Sequence, residues 1–280
     1  TMLVNLNDVL IPARRGKYAV GLFNTVNLEL ARGVMEAAEE LDSPVIIGTA
    51  EVLLPYGPLE DLANLLIPMA ERSPVPVVVH LDHGLKEETC RQALNLGFSS
   101  IMYDCSTMEY EANIGRVKKM AETAHACGAS IEAELGHVGD NGGEDPSLFY
   151  TDSAQARDFI ERTGADALAI AVGTAHGAYR LPPRLDFNRI AEIAETIPTP
   201  LVLHGGSGLS DSDFRTAVGR GISKVNIFTD INQAGARAAA LGCREGAGLT
   251  DIILPEIEAV KQSVMEKMRL FGSVGRGSER

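Results

Sequence analysis

Short apolar runs rich in β-branched residues alternate eight times with longer segments of helical periodicity, and this alternation constrains the fold most. Segment 75–79 reads Val-Pro-Val-Val-Val, the nearly continuous apolar run expected of a strand buried on both faces of a parallel sheet. Several helical segments end at a glycine, such as Gly97, Gly128, Gly164 and Gly221, a residue that takes positive φ easily and stops a helix. The predicted strands are 19–23, 45–48, 76–80, 100–103, 130–134, 167–172, 201–203 and 224–227. The predicted helices between them are 28–41, 59–71, 87–96, 110–126, 153–163, 187–195, 211–220 and 230–241.

Eight strand–helix units predict an α/β protein in which the strands close into a (β/α)8, or TIM, barrel. An additional C-terminal helix is expected over 255–271. Strand counting alone leaves an open doubly wound sheet as the alternative. The chain has 280 residues, close to the ~250 that one such barrel uses, and no linker or shift in composition divides it. We therefore expect a single barrel domain over 1–280.

The charge and cysteine content narrow the class of partner. A net charge of −13 argues against nucleic acid and anionic membranes, yet backbone N–H groups in an acidic protein can still bind a small anion. No apolar run approaches the ~20 residues that span a bilayer, and no signal peptide is expected. The scattered cysteines, without a CxxC pair, predict a reduced, cytoplasmic location: Cys90, Cys105, Cys127 and Cys243.

Polar residues recur at the ends of the predicted strands, where barrel enzymes place their chemistry. They are Asn24, His80, Asp82, His83, Asp104, Glu132, Glu134, His176, His204 and Asn226. With His137, five of the six histidines fall on this rim. A single histidine is more often a core residue, but five on one rim are hard to explain by packing, since each buried imidazole needs hydrogen-bond partners. A catalytic zinc is often bound by three imidazoles, with its fourth coordination position open. The spacing of these histidines therefore indicates a metal site.

A glycine-rich turn follows the seventh predicted strand, where 204–208 reads His-Gly-Gly-Ser-Gly. Backbone N–H groups in such a turn can hold a phosphate, although a flexible strand–helix connection is the plainer interpretation. Asn226 and Thr229 end the next strand, where barrels often complete a phosphate site. Because His204 begins the turn, a metal and an anion would be neighbours.

Six motifs, in order along roughly 5–275, resemble those of the class II ketose-bisphosphate aldolases, which include the fructose- and tagatose-bisphosphate aldolases. They are His80-Leu81-Asp82-His83-Gly84, Tyr103-Asp104-Cys105-Ser106, Glu132-Ala133-Glu134-Leu135-Gly136, His176-Gly177, His204-Gly205-Gly206-Ser207-Gly208 and Lys224-Val225-Asn226-Ile227. The resemblance implies a zinc-dependent lyase that reversibly cleaves a ketose phosphate into dihydroxyacetone phosphate, or a close donor, and an aldehyde.

The resemblance also assigns roles to single residues. It implies one Zn²⁺ per subunit on His83, His176 and His204, with Asp104 and Glu134 bordering an alternative metal position. Asp82 would take the proton of the C4 hydroxyl in cleavage and return it in condensation. The residues that it places around the donor phosphate and the enediolate are Asn24, Gly177, Gly205, Ser207, Asn226 and Thr229. A monovalent cation such as Na⁺ or K⁺ and a homodimer or homotetramer are further expectations from the family.

Zinc replaces the Schiff-base lysine of class I aldolases. In agreement, we expect no lysine within a strand core, and Lys224 only to open the eighth strand.

The sequence departs from the family pattern in the loop after Gly136. Fructose- and tagatose-type enzymes carry Gly-Gly-x-Glu-Asp there, and its Glu exchanges the proton at C1 of the donor. Here Glu144, followed by Asp145 and with Asp140 nearby, is the candidate, and a solvated acidic loop is the alternative. Arg180 stands where a lysine is common and is a candidate for substrate binding, and Phe228 replaces an acidic residue of some relatives.

No residue matches the basic group that grips the second phosphate of a bisphosphate sugar, so an unphosphorylated acceptor aldehyde is predicted.

Two other functions fit parts of the pattern. A metal-dependent hydrolase on a barrel usually carries His-x-His on an early strand, and 20–27 contains none. A non-catalytic sugar-phosphate-binding barrel would have no need of Asp82 beside the ligand His83. Both features favour the aldolase.

Overall fold

Eight parallel strands close into a barrel in the computed structural model, which describes residues 2–138, 150–174 and 184–279. Each strand pairs with the next, and β8 returns to β1 through Leu22 opposite Asn226. The strands are β1 Val20–Asn24, β2 Val45–Ala50, β3 Val77–Gly84, β4 Ser100–Tyr103, β5 Ser130–Leu135, β6 Ala167–Ile170, β7 Leu201–Leu203 and β8 Ile222–Ile227. The predicted (β/α)8 barrel is confirmed, and the open sheet is excluded.

Helices surround this barrel and include the predicted C-terminal one. Within the described residues they are α1 Leu6–Gly16, α2 Leu28–Glu40, α3 Leu59–Arg72, α4 Glu87–Leu96, α5 Tyr110–Ala126, α6 Ser153–Thr163, α7 Phe187–Thr196, α8 Asp211–Gly219, α9 Thr229–Gly242 and α10 Thr250–Phe271. A 3-10 turn, Glu51–Leu53, follows β2. None of the described helices is long and apolar enough to cross a membrane.

The helix ends follow local sequence chemistry. The Asn27 side chain accepts from the backbone N–H of Leu30 at the start of α2, and Ser210 forms a capping box with Asp213 at the start of α8. Gly97 and Gly164 end α4 and α6 with φ of 97° and 69°. These are the left-handed stops expected from the sequence.

Two helices differ from the prediction. α1 was not predicted, although Asn5 and Asp8 form a capping box at its start. Its apolar face closes the N-terminal end of the barrel, where Leu6 and Leu10 join a fully buried cluster with interior strand residues such as Val78. α10 begins at Thr250, five residues before the predicted start, because Pro255 lies inside the helix and does not open it.

The second and larger hydrophobic cluster lies between the barrel and its helices and includes Phe23, Val34, Phe159 and Val260. α10 packs against α2 and α9, and it also contacts α8 and β1. The apolar layer covers the outside of the strands, and α1 covers the N-terminal end of the barrel. The polar side chains at the strand ends therefore meet at the C-terminal end of the barrel.

Candidate active site

A cavity of about 360 Å³ opens at the C-terminal ends of the strands. The side chains around it include carboxylates, imidazoles and amides, together with several apolar side chains. The described residues that line it are Asn24, Ala50, Val52, Leu53, Asp82, His83, Leu85, Asp104, His137, Val138, His204, Gly205, Gly206, Ser207, Asn226, Ile227, Phe228 and Thr229. The position is the one where barrel enzymes bind substrates.

An irregularity at the end of β3 directs His83 toward this cavity. The pairing of β3 with β4 shifts register between Leu81 and Gly84, and His83 has a φ of 41°, in the left-handed region. For a residue other than glycine that conformation is costly and often marks a functional position. His83 Nδ1 lies 2.9 Å from Asp104 Oδ2. Because an ionised carboxylate only accepts, Nδ1 carries the proton and Nε2 faces the cavity.

His204 follows β7, and its two ring nitrogens have the opposite roles to those of His83. Its Nε2 lies 2.7 Å from Glu132 Oε1, and its Nδ1 lies 2.7 Å from His83 Nε2. The two rings meet edge to face, with centroids 4.5 Å apart and an interplanar angle of 86°. Each ring therefore gives one nitrogen to a carboxylate and turns the other toward its partner.

These donors fit a metal ion. Two nitrogen lone pairs 2.7 Å apart repel each other unless a proton or a cation lies between them. Asp82, His83 and His204 present ligand atoms within 4.8 Å of one another, and so do His83, Asp104 and Glu134. A divalent ion held by imidazoles and carboxylates suits both groups, and carboxylates behind the rings orient them as in known zinc sites.

The charge around His83 also favours a cation. Burial lowers the pKa of His83, but the neighbouring Asp82, Asp104 and Glu134 outweigh it and raise that pKa to about 10. The site thus attracts a proton strongly when no other cation is bound.

Asp82 is held from both sides by amides. Asn24 Nδ2 donates to Asp82 Oδ2 at 2.8 Å, and Asn226 Nδ2 donates to Asp82 Oδ1 at 3.0 Å. Burial raises the pKa of Asp82, but His83, His204 and Lys224 outweigh it and keep that pKa below its usual range. The carboxylate is ionised and lies 4.0 Å from His83 Nε2.

The expectation for Lys224 was wrong. β8 begins two residues earlier, at Ile222, and Lys224 is 0% exposed in the barrel interior. Its ammonium lies 2.7 Å from Glu132 Oε2 and donates to Asn226 Oδ1 at 2.7 Å. The ion pair makes this burial possible. Period-two spacing was the available signal, since Lys224 and Asn226 share one face of the strand.

His80 is not a rim residue either. It lies within β3, fully buried, with Nδ1 2.8 Å from Ser100 Oγ. Burial and the nearby Lys224 lower its pKa to about 3, so it is a neutral core histidine. His137 does lie on the rim, with Nδ1 3.1 Å from Ser106 Oγ.

The glycine-rich turn and the start of α9 border the same cavity. Gly205 and Gly208 have φ of 66° and 88°, which only glycine adopts easily. Gly205, Ser207 and Thr229 all line the cavity, and Thr229 is the first residue of α9. The start of a helix beside a glycine turn is a favourable place for an anion.

Several predicted site residues lie outside the described residues. They are Asp140, Glu144, Asp145, His176, Gly177 and Arg180.

The fold and donor set define an α/β barrel with a histidine- and carboxylate-lined centre at the C-terminal ends of its strands. The family described as fructose-bisphosphate aldolase class-II matches residues 4–276, and the chain belongs to this family of zinc-dependent lyases. The predicted resemblance is confirmed, and with it aldolase chemistry over the hydrolase and the non-catalytic barrel.

Individual relatives cover nearly the whole chain. The chain is 40% identical to Escherichia coli (strain K12) YdjI over 264 residues, which cover 92% of this chain and 94% of that protein. It is 38% identical to the fructose-bisphosphate aldolase of Thermus caldophilus, and the match covers 98% of this chain and 100% of that protein. The crystal structure of the YdjI aldolase superposes with a TM-score of 0.89 at 36% identity, covering 99% of this chain and 100% of that one.

Proposed function

We propose that this class II aldolase uses zinc to cleave a ketose phosphate reversibly into dihydroxyacetone phosphate, or a close donor, and an unphosphorylated aldehyde. The family acts on sugar phosphates. The observation that carries the proposal is the facing pair of His83 and His204 beside the clamped carboxylate of Asp82.

His83 and His204 would hold the ion together with His176, the third residue implied by the motif. Zinc held there would supply Lewis-acid stabilisation of the negative charge that develops on the donor half. Asp104 and Glu132 support the proposal because each fixes the proton on the outer nitrogen of one ring.

Asp82 is the proposed acid/base. In cleavage its carboxylate takes the proton of the C4 hydroxyl, the C4–O bond becomes a carbonyl, and the C3–C4 electron pair passes to the donor. In condensation the same proton returns to the aldehyde oxygen. The clamp by Asn24 and Asn226 supports this role, because it leaves the carboxylate ionised and fixed in direction.

Asn24 and Asn226 are also the proposed contacts to the bound ketone and enediolate. Asn24 Oδ1 is buried without a hydrogen-bond partner. Such an acceptor beside the cavity is suited to a substrate hydroxyl, because an unpaired buried oxygen costs about 1–3 kcal/mol.

The donor phosphate would lie on Gly205, Ser207 and Thr229, together with Gly177. Arg180 is a further candidate for substrate binding, and both Gly177 and Arg180 lie outside the described residues. The support is the start of α9 beside the glycine turn, two sources of backbone N–H groups. The role of Glu144 in proton exchange remains a proposal from the resemblance.

The rest of the lining supports an acceptor without phosphate. Ala50, Val52, Leu53 and Leu85 are apolar, and the described lining contains no lysine or arginine. A second phosphate would find no cation among these residues, and a buried unpaired dianion is unfavourable.

We also propose a cytoplasmic location and a homodimer or homotetramer. All four cysteines are free thiols, which supports a reducing compartment. The assembly rests on the resemblance and can be measured by light scattering.

A panel of ketose 1-phosphates and ketose 1,6-bisphosphates tests the substrate. We expect higher kcat/KM for the monophosphates with the zinc-loaded enzyme. A strong preference for bisphosphates would overturn the acceptor proposal, whereas binding without any cleavage would overturn the aldolase itself.

A variant pair sharpens this test. Val52→Arg adds a cation at the cavity and should raise kcat/KM for bisphosphates selectively. Leu241→Arg, at a position 86% exposed and not among the cavity-lining residues, is the matched control and should change neither class.

A further inference from the structure

Lys224 is a fully buried cation in the barrel interior, beside the candidate active site. Lysine is rarely buried completely unless its charge is paired. The ammonium contacts two groups, Glu132 Oε2 and Asn226 Oδ1, each at 2.7 Å. These two partners lead to the two halves of the site, the metal ligands and the acid/base.

The first connection runs through Glu132 to His204. Lys224 binds one oxygen of the Glu132 carboxylate, and the other oxygen accepts from His204 Nε2 at 2.7 Å. An ionised Glu132 requires the proton on Nε2, so Nδ1, which faces His83, carries the lone pair. The charge of Lys224 thereby helps to select the His204 tautomer that can bind a metal.

The second connection runs through Asn226 to Asp82. An ammonium only donates, so it holds the amide oxygen of Asn226 and turns Nδ2 toward Asp82 Oδ1, 3.0 Å away. A flipped amide would instead present its oxygen to the Asp82 carboxylate and repel it. Lys224 therefore also fixes the direction of the acid/base clamp.

We propose that Lys224 is the positioning residue of this site, fixing through Glu132 the tautomer of His204 and through Asn226 the orientation of Asp82. The inference rests on the proposed function, because it needs a ligand role for His204 and an acid/base role for Asp82. Lys224 touches no reacting atom and is not an amine nucleophile, since its ammonium is enclosed by the two partners.

Two measurements on the Lys224→Met variant, one by NMR and one of kcat, test the positioning role. In metal-free protein labelled with ¹⁵N-histidine, long-range NMR correlations report which nitrogen of His204 is protonated. We expect wild type to show the Nε2–H form and the variant to lose it or mix it. In zinc-loaded protein we expect kcat to fall about 10- to 100-fold, the usual effect of losing a group behind metal ligands, with KM little changed.

Lys267→Met is the matched control. Lys267 is also an ion-paired lysine, with Nζ 2.7 Å from Asp230 and its side chain 14% exposed, but it lies on α10 outside the barrel. Its loss should leave both the His204 tautomer and kcat at wild-type values.

The doubly neutral variant Glu132→Gln with Lys224→Met keeps the test available if the single variant fails to fold, because it leaves no unpaired buried charge. With both single variants folded, a double-mutant cycle should show that the two kcat losses are not additive. A folded Lys224→Met variant with wild-type tautomer and kcat would overturn the proposal, and so would additive losses.

The NMR reading separates this inference from the proposed function. A tautomer change in Lys224→Met beside a wild-type protein that cleaves no ketose phosphate would leave the positioning intact and remove the proposed function. Loss of kcat with an unchanged His204 tautomer and unchanged Asn226 amide signals would leave the aldolase and remove the positioning.

Discussion

His83 Nε2 and His204 Nδ1 lie 2.7 Å apart, and each ring has its other nitrogen on a carboxylate. When His83 Nδ1 and His204 Nε2 are protonated, the lone pairs of His83 Nε2 and His204 Nδ1 face each other. One cation can then lie between these two lone pairs. In metal-free protein that cation is a proton on His83. A metal ion must displace it, so metal binding and proton release are coupled.

The first prediction is that zinc binding releases about one proton at pH 8. The pKa of His83 is raised from 6.5 to about 10, so its proton stabilises the metal-free fold fully below pH 6.5. This contribution is lost as the pH rises through about 10, and zinc affinity should rise across the same window. Calorimetry in two buffers of different ionisation enthalpy counts the protons.

Asp104→Asn provides the control for that count. Asp104 accepts from His83 Nδ1 and is one of the groups that raise the pKa of His83. The variant should release less than one proton and bind zinc more weakly. Equal heats in the two buffers for wild type would contradict a protonated His83.

The second prediction separates the acid/base from the ligands. Asp82→Ala should lower kcat by about 10²- to 10⁴-fold, the usual range for general acid–base catalysis, while retaining zinc. Metal analysis after gel filtration checks the retention. Loss of the ion in this variant would reassign Asp82 as a ligand.

Asn24→Ala tests the clamp without removing the carboxylate. It removes the donor to Asp82 Oδ2 and leaves the donor from Asn226 to Oδ1. We expect a smaller loss of kcat than in Asp82→Ala and unchanged zinc content. An Asn24→Ala enzyme as slow as Asp82→Ala would mean that the clamp matters as much as the proton transfer itself.

The third prediction concerns the metal and the lysine together. A chelator should abolish cleavage, and added Zn²⁺ or Co²⁺ should restore it. Assays in the presence and absence of K⁺ test whether a monovalent cation is needed. Borohydride should trap no substrate on the protein, because the Lys224 ammonium is enclosed by Glu132 and Asn226. Covalent trapping would contradict the metal mechanism.

Alternating patterns made the barrel and the rim of the site predictable. Strands buried on both faces stand out as apolar runs, and polar residues such as Asn24, Asp104 and His204 at their ends stand out against them. α1 was missed because the expected chain pattern begins with a strand, although the cap at Asn5 and Asp8 was visible.

The interior network was less predictable because it depends on pairs far apart in sequence. Glu132 and Lys224 lie on β5 and β8, and only the closed barrel brings their charges to 2.7 Å. From the sequence alone, Lys224 is therefore expected at the start of the strand and not in the barrel interior. The positive φ of His83 was equally hard to predict from the sequence, because it follows from the register shift between β3 and β4.

The last prediction tests the close approach of β2 and β3 just below the site. A Cβ on Gly48 would overlap the backbone carbonyl of His80 on the adjacent strand, and backbone cannot move aside as a flexible side chain can. Gly48→Ala should therefore destabilise the protein by about 3 kcal/mol, the upper end of typical overpacking costs. Gly115→Ala in α5 is the matched control, since a Cβ added there points into open space. That change should stabilise by about 0.5–1 kcal/mol, because alanine loses less backbone entropy in a helix. Urea denaturation measures both, and a Gly48→Ala midpoint equal to wild type would mean that the two strands separate at little cost.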